Sequence, residues 1–414
     1  MTAVLDKDAR KWGVLAGLFL IYMASNGITL HTLPLLYPEL IESFGWRAAE
    51  VTLPATVFFI VGAFTSPPAG WLLDRYSPRL IIVIGSLSLC CGLMAYARVQ
   101  TLWQITVIYA LLGLSLSLCG LVSNMVVLTG WFRERRGRAT GILLMASSVG
   151  GALFPIVVGA GLAALGWRQT MLFAGIATGA VMLGSGLLLL RDSAVTVPKP
   201  GDRGTAGSGP QLSEALRQPT FYKVLFATGS VWFVIIALTQ HQSIYLAQDV
   251  GLPRVLIPGV FSVFFASSVA GKLGFGLLSD RFDLRRVMTI SIVLLALSLL
   301  ALTQLESSAR VLLYGYAAVA GLGFSGSFTC IQLLVARYFQ GPAYGRILAV
   351  VILVDTLCGA LGTRAIGLLR EQQGDYLSSF LAMAVLAVLA AVVVSRLGSG
   401  TPSFAPAAPS PKTT

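Results

Sequence analysis

GWLLDRYSPRL (residues 70–80) and GLLSDRFDLRRV (residues 276–287) state one pattern twice: a glycine, a short apolar stretch, Asp-Arg, then further basic residues. Each copy closes an apolar run, and one falls in each half of the 414-residue chain. Other pairs keep the same register. Tyr109 precedes Phe132 by 23 positions, Tyr316 precedes Phe339 by the same 23, and Gly137-Arg138 and Gly345-Arg346 then open the next apolar runs. The two histidines, His31 and His241, each lie about 19 residues into the first run of their half. Self-similarity on this scale reads as two parallel copies of one multi-helix repeat. Between the copies, Asp192 to Pro219 is polar and rich in Gly, Pro, Ser and Thr, the composition of a linker.

Hydrophobic residues make up 56% of the chain and charged residues 11%, a balance suited to solvation by lipid. About twelve apolar runs are long enough to cross roughly 30 Å of hydrocarbon as helices. They cover residues 12–41, 50–72, 79–98, 102–130, 138–164, 168–190, 221–247, 254–279, 286–304, 309–337, 344–369 and 375–397. The fold class is therefore an all-α membrane protein, twelve transmembrane helices in two pseudo-symmetric six-helix bundles. Residues 1–191 form the first bundle, 192–220 a cytoplasmic linker, 221–398 the second bundle, and 399–414 a disordered cytoplasmic tail. The end of the linker, PQLSEALRQPTFYKVLF, is expected to form a short amphipathic surface helix.

With both termini in the cytoplasm, the inner loops collect Arg133, Arg135, Arg136, Arg138, Arg281, Arg285 and Arg286. The outer loops hold chiefly Arg47, Arg98, Arg168, Arg254, Arg310 and Arg370. This asymmetry sets the orientation, and a bacterial inner membrane is the expected location. It also accounts for a net charge of +12 without any nucleic acid. Cys90, Cys91, Cys119, Cys330 and Cys358 all fall inside apolar runs, where they read as small apolar fillers. The first run is too long for a signal peptide and no small-residue cleavage site precedes it.

Two ionisable residues lie deep in apolar runs: Lys272 in VFSVFFASSVAGKLGFGLLSD and Asp355 in ILAVVILVDTLCGALG. A lone charge at the bilayer centre costs about 2.5 to 3.5 kcal/mol on insertion scales, so such residues usually mark an ion or substrate path. Counted from Asp280 and Gly345, both sit roughly 12 to 15 Å deep, near the midplane, where they are able to meet. A paired Lys272 and Asp355 would exchange partners when a carboxylate arrives at Lys272, leaving Asp355 to take up a proton. That scheme is electroneutral proton symport of a monoanion. The competing reading is a buried ion pair that only fixes two helices, although such pairs are poor stabilisers.

The Gly70–Arg79 loop, repeated from Gly276, resembles the signature loop between the second and third helices of the major facilitator superfamily. The resemblance implies twelve helices, alternating access, and usually a monomer. In it Asp74, Arg75, Asp280 and Arg281 form a gating latch, with Gly70 and Gly276 allowing close helix approach. Longer segments are similar to the monocarboxylate porter and oxalate:formate antiporter branch. They include PELIESFGWRAAEVTLPATVFFIVGAFTSPPAGWLLDR, WFRERRGRATGILLMASSVGGALFPIVVGAGLAALGWRQTMLFAG, and SEALRQPTFYKVLF leading to HQSIYLAQDVGLP. This implies a porter of small organic anions coupled to protons or to exchange of a second anion. Members that move monocarboxylates carry an acid four residues before an arginine on the eighth helix, itself four before the motif glycine. Here those positions are Ser268 and Lys272, so the cation is kept as lysine and the acid is gone. Oxalate exchangers add a second cation on the eleventh helix, where this chain has Asp355; a monoanion or a zwitterion fits better than a dicarboxylate.

His31 and His241 follow polar stretches, and imidazole binds a carboxylate or carries a proton near physiological pH; a histidine merely hydrogen-bonded near the outer interface is the alternative. His241 has polar neighbours in Thr239, Gln240 and Gln242, and Gln240 joins it as a candidate substrate contact. Phe324 and Phe328, four apart on one face, either wall a pocket or pack in the core. Arg364 either attracts anions at the mouth or snorkels to the interface. Asn124, Ser117 and Gln332 orient substrate or bond helix to helix. No metal-ligand cluster, nucleophile elbow or phosphate-cradling loop is present in the sequence, so no metal, no cofactor and no enzyme activity are expected. The remaining alternatives are an organic anion antiporter, a sensor on a transporter scaffold, and a proton-driven exporter of drugs or amphipathic metabolites.

Overall fold

The computed structural model describes residues 2–132, 136–191, 212–306, 309–339 and 344–398. Hydrocarbon offers an unpaired N–H or C=O no partner, so an apolar run that enters it must close its hydrogen bonds internally, and these runs do so as helices. In chain order they are α1 Thr2–Thr29, α2 Tyr37–Phe44, α3 Ala48–Arg75, α4 Pro78–Tyr96, α5 Leu102–Cys119, α6 Leu121–Trp131 and α7 Arg136–Leu188. After the short α8 Leu212–Ala215 come α9 Pro219–Gln248, α10 Ile257–Arg281, α11 Leu284–Leu302, α12 Arg310–Tyr338, α13 Tyr344–Gln373 and α14 Leu377–Ser395.

Among the described residues, eleven helical stretches are long and apolar enough to cross a membrane. One of them, Arg138–Leu188, has 51 residues, roughly 77 Å of helix at 1.5 Å per residue, enough for two crossings. It turns back at Gly166, whose φ of 73° is natural only to glycine, and the chain thus crosses twelve times. Two of the expected runs are interrupted. A 3-10 turn, Leu33–Leu36, parts α1 from α2, and Gly120, with φ −83° and ψ −152°, parts α5 from α6. At the second break Asn124 donates to the Cys119 and Gly120 carbonyls at 2.7 and 2.6 Å, satisfying acceptors that a helix end exposes. Asn124 therefore repairs a helix break. Residues 192–211 of the linker and the tail 399–414 lie outside the described residues, and α8 is a single turn.

The two halves repeat each other in three dimensions. Within the first, α3 packs on α5, α4 on α5 and α7, and α1 on α7; within the second, α10 packs on α12, α11 on α12 and α14, and α9 on α13. Tyr76 and Phe282 end the motif helices with φ/ψ of −118°/163° and −120°/165°. Ser77 and Asp283 then cap the next helices, accepting from Leu80 N and Arg285 N. Arg79 donates to the Gly186 and Leu187 carbonyls at the end of α7, and Arg285 donates to Leu397 O just beyond α14. A motif arginine thus caps the last helix of each half, where a cation suits the dipole.

Twelve crossings leave both ends of the chain on one side, here called the terminal face; the opposite side is the distal face. The halves touch along two seams, α3 against α13 and α7 against α10. Polar links across the seams gather toward the distal face. Arg254 pairs with Glu39 at 3.0 Å and with Glu42, Arg47 with Glu371 at 3.6 Å, and Arg364 donates to Ala49 O at 2.9 Å. Deeper in, Tyr37 donates to Gln240 Oε1 at 2.6 Å, and Ser148 Oγ lies 3.0 Å from Ser268 Oγ. Among the described residues, the cross-half hydrogen bond nearest the terminal face runs from Lys272 Nζ to Leu144 O, 3.0 Å.

Candidate functional site

Where the seams part lies an open cavity of about 210 Å³. Helical period decides what faces it. From α9 come Trp232, Ile235, Ile236, Thr239 and Gln240; from α12 Phe324, Phe328 and Gln332; from α13 Ile352, Asp355 and Thr356. These are steps of three and four residues, one stripe per helix. The first half supplies fewer groups, among them Tyr22, Asn26, His31, Phe59 and Ser147. The lysine and the aspartate of the cavity wall, Lys272 and Asp355, both belong to the second half.

Lys272 is held by neutral partners. Its ammonium has three N–H donors; one goes to Leu144 O across the α7–α10 seam, and Nζ stands 5.0 Å from the centre of the Phe328 ring. Such a cation over a ring gains roughly 0.5 to 2 kcal/mol depending on its hydration. Asp355 is buried, and Oδ1 accepts from Thr228 Oγ1 at 2.7 Å. Lys272 and Asp355 do not pair in this state. No contact within 4.0 Å joins them, although both line the same space. The reason is local: Thr228 on α9 holds the carboxyl toward its own helix pair, while the lysine stem reaches the other half of the molecule.

The two histidines part company. His31 lines the cavity, with Nε2 3.0 Å from Ser147 Oγ and its ring centre 3.9 Å from that of Phe265. His241 is fully buried away from that lining, with Nδ1 2.9 Å from the Tyr376 hydroxyl and Nε2 2.8 Å from Thr363 O. Both of its ring nitrogens are engaged, so no atom is left to meet a substrate here. Gln240 lines the cavity while its Oε1 is taken by Tyr37 across the halves. Phe328 lines it beside Lys272.

Among the described residues no ion pair ties the gating residues Arg75, Asp280 and Arg281 into a latch. Asp280 and Arg281 are exposed, and neither takes part in an ion pair among the described residues. Arg75 lies over the Trp71 ring at 4.1 Å, and the side chain of Asp74 lies outside the described residues. A Cβ built on Gly70 or Gly276 meets no described atom within 4 Å, so no close approach is made there among the described residues. Arg364 reaches the distal start of α3, where it donates to Ala49 O and ties α13 to α3. Ser117 bonds helix to helix, through Gly62 O and the Thr65 hydroxyl. Among the described residues no group of three or more His, Cys, Asp or Glu side chains is placed to hold a metal ion.

Several wall residues were not singled out from the sequence. Trp232, Phe265 and Ser147, and Thr228 behind Asp355, lie in apolar stretches where an aromatic or a hydroxyl near the cavity looks the same as one facing a neighbouring helix. The signal available was the stripe at 232, 235, 236, 239 and 240, legible once its polar end, Thr239-Gln240, is taken as the side that faces water.

The repeated motif, the mirrored helix pairings and the central cavity have counterparts in known proteins. The family model of the Major Facilitator Superfamily matches residues 14–273 and again 242–413. The chain belongs to the Major Facilitator Superfamily. Among members of that superfamily, it is 26% identical over 365 residues to the MFS transporter asaE of Aspergillus flavus, covering 84% of this chain and 78% of that one. It is 24% identical over 364 residues to monocarboxylate transporter 13 of Bos taurus, covering 85% and 81%. In three dimensions it resembles a bacterial homologue of the human lysosomal transporter Spinster, with a TM-score of 0.75, 16% identity, and coverage of 94% and 96%. At that identity the likeness speaks for the superfamily fold alone.

Proposed function

We propose that the chain is a secondary transporter of a small organic monoanion, moving one proton with each anion by alternating access. The observation that carries this reading is a lysine and an aspartate on the wall of one cavity between two halves, each held only by neutral partners. Placing the basic terminal face in the cytoplasm, the cavity opens inward, in a bacterial inner membrane. A carboxylate entering it meets Lys272, whose bond to the neutral Leu144 O is weaker than the same ammonium would make to a carboxylate. The anion takes over that donor and the Lys272 charge is neutralised. Asp355, with a single hydrogen bond from Thr228, is then costly to keep ionised in a closed, dry cavity. It crosses as the neutral acid, and the loaded carrier moves without net charge. His31, Gln240 and Phe328 complete the substrate contacts, and the Asp74–Arg75 and Asp280–Arg281 motifs close the terminal face in the opposite state.

The monocarboxylate transporter among the relatives supports the anion, and the missing second cation disfavours a dicarboxylate. Losing a hydrogen bond to a charged group costs about 1.5 to 3 kcal/mol, or roughly ten- to a hundredfold. Lys272→Gln in proteoliposomes is therefore expected to cut uptake of monocarboxylates by at least tenfold. Asp355→Asn is expected to keep exchange of internal for external substrate while losing accumulation driven by a pH gradient. Continued pH-driven accumulation by Asp355→Asn removes the coupling role. A second reading, export of an amphipathic anion from the same site, is favoured by the large apolar share of the wall. It differs only in the sign of the response to the pH gradient.

A further inference from the structure

Lys272 does not stand among polar neighbours. Its ammonium lies over Phe328, Phe328 meets Trp232 edge to face at 6.0 Å and 70°, and Phe324 continues the row 6.2 Å from Phe328. Phe265 extends it to the His31 ring, 6.0 Å from Phe324 and 3.9 Å from His31. Phe265 has no accessible surface, so it forms the floor; Trp232 and Phe328 are only half-buried and present ring surface to the cavity. The wall beside the cation is thus a continuous aromatic strip running from α9 across α12 to α10.

Resting on the reading of Lys272 as an anion contact, we infer that the transported acid carries an aromatic ring, and that Trp232 and Phe328 select it. Size argues first. The strip runs over ring centres spaced 6.0, 6.2 and 6.0 Å apart from Trp232 through Phe328 and Phe324 to Phe265, longer than any two- or three-carbon acid. An acid of five or six heavy atoms would leave most of the strip facing water. Geometry argues second. A carboxylate bound at Nζ necessarily lies beside Phe328, because Nζ already does, so its substituent is delivered to the strip. Trp232 with Phe328 and Phe265 with Phe324 meet edge to face, an arrangement that aromatic pairs prefer. Charge argues third: the negative face of Phe328 is covered by the ammonium, which leaves the ring edges, positive in character, to meet the face of a ligand ring.

The test uses the full-length protein in nanodiscs and isothermal titration with phenylacetate, acetate, lactate and the neutral phenylacetamide. Phenylacetate is expected to bind at least tenfold more tightly than acetate or lactate, which is about 1.4 kcal/mol. Phe328→Leu, which keeps most of the volume, and Trp232→Leu are each expected to shrink that ratio at least fivefold, with Phe328→Tyr restoring it. Lys272→Gln should weaken both acids alike. If acetate or lactate binds as tightly as phenylacetate, or if neither leucine variant moves the ratio, the aromatic selection is wrong while the anion site stands. If phenylacetamide binds as well as phenylacetate, the anion site itself falls and takes this inference with it. Binding by none of the four overturns both.

Discussion

Four glycines separate the two ends of the molecule. At the distal face a Cβ on Gly159 of α7 would collide with Pro258 of α10, and one on Gly367 of α13 would stand 3.0 Å from Thr52 Oγ1 and 3.1 Å from the Ala49 Cα of α3. At the terminal face a Cβ on Gly70 or Gly276 meets no described atom within 4 Å. Each seam is therefore packed too closely for a Cβ at its distal end, whereas the motif glycines at the terminal end have no described atom against them. Small residues permit close helix contact in lipid; where that permission goes unused in one state, a second state is implied in which it is used. The polar links say the same. At the distal face Arg254, Arg47 and Arg364 reach across the halves, whereas at the terminal face Arg79 and Arg285 donate to carbonyls of their own half.

The largest effect is expected where the packing is tightest. Gly159→Leu forces a side chain into Pro258, and overpacking of this kind costs roughly 1 to 3 kcal/mol, a shift of about 5- to 150-fold between the two states. Transport in proteoliposomes should fall by about that factor. A cysteine placed at Gln240, in a background lacking the native cysteines, should become labelled by an impermeant thiol reagent from the distal face. Labelling no faster than in the parent would mean that this seam is not a gate. Gly276→Leu is the complementary change. In this state it meets open space, so ligand binding should stay within about twofold, yet turnover should drop roughly tenfold because the terminal face can no longer close. Loss of binding together with turnover would break the comparison.

A smaller effect is expected from the exposed ion pairs. Arg254 touches two carboxylates, Glu39 and Glu42, but its own side chain is 46% exposed. Pairs of that kind contribute about 0.2 to 1 kcal/mol each. Arg254→Ala should raise distal labelling by roughly two- to fivefold, and the gain should shrink at high salt, where the pairs are already screened. A gate held by weak links is consistent with a carrier that must open it on every cycle.

The scaffold was largely legible in the sequence because lipid leaves a backbone few choices and because the motif is written twice. Lys272 and Asp355 were legible for the same reason, a charge standing out against an apolar run. Their separation was not, since it depends on Thr228 and on the reach of Lys272 to a backbone carbonyl, which no spacing records. The histidines show what sequence symmetry leaves out. His241 lies within the unbroken α9, facing Thr363 and Tyr376, but His31 lies past the end of α1, in the turn before Leu33–Leu36, where the chain swings its ring into the cavity. Equal offsets from the start of a half gave unequal surroundings because one helix ends early. Trp232 and Phe328 were hidden by their chemistry, because an aromatic ring in an apolar run carries no mark of which way it faces.

The smallest effect sharpens the comparison from the terminal side. Asp283 caps α11 and receives Arg285 at 3.0 Å through both Nε and Nη2, and the guanidinium holds its carboxyl down at about 2. An acid whose folded value is depressed stabilises the fold above its unfolded value, near 4, and loses that contribution as the pH falls through about 2. Asp283→Asn keeps a competent cap and removes only the charge. The variant should therefore unfold less than about 1 kcal/mol more easily at pH 7, because the pair is in contact with water. About half of that difference should remain at pH 3. Distal labelling and the rate of transport should not change, since the pair lies within one half and spans no seam. A change in transport with no change in thermal stability would show that the terminal face, too, is tied in a way that the geometry of this state does not require.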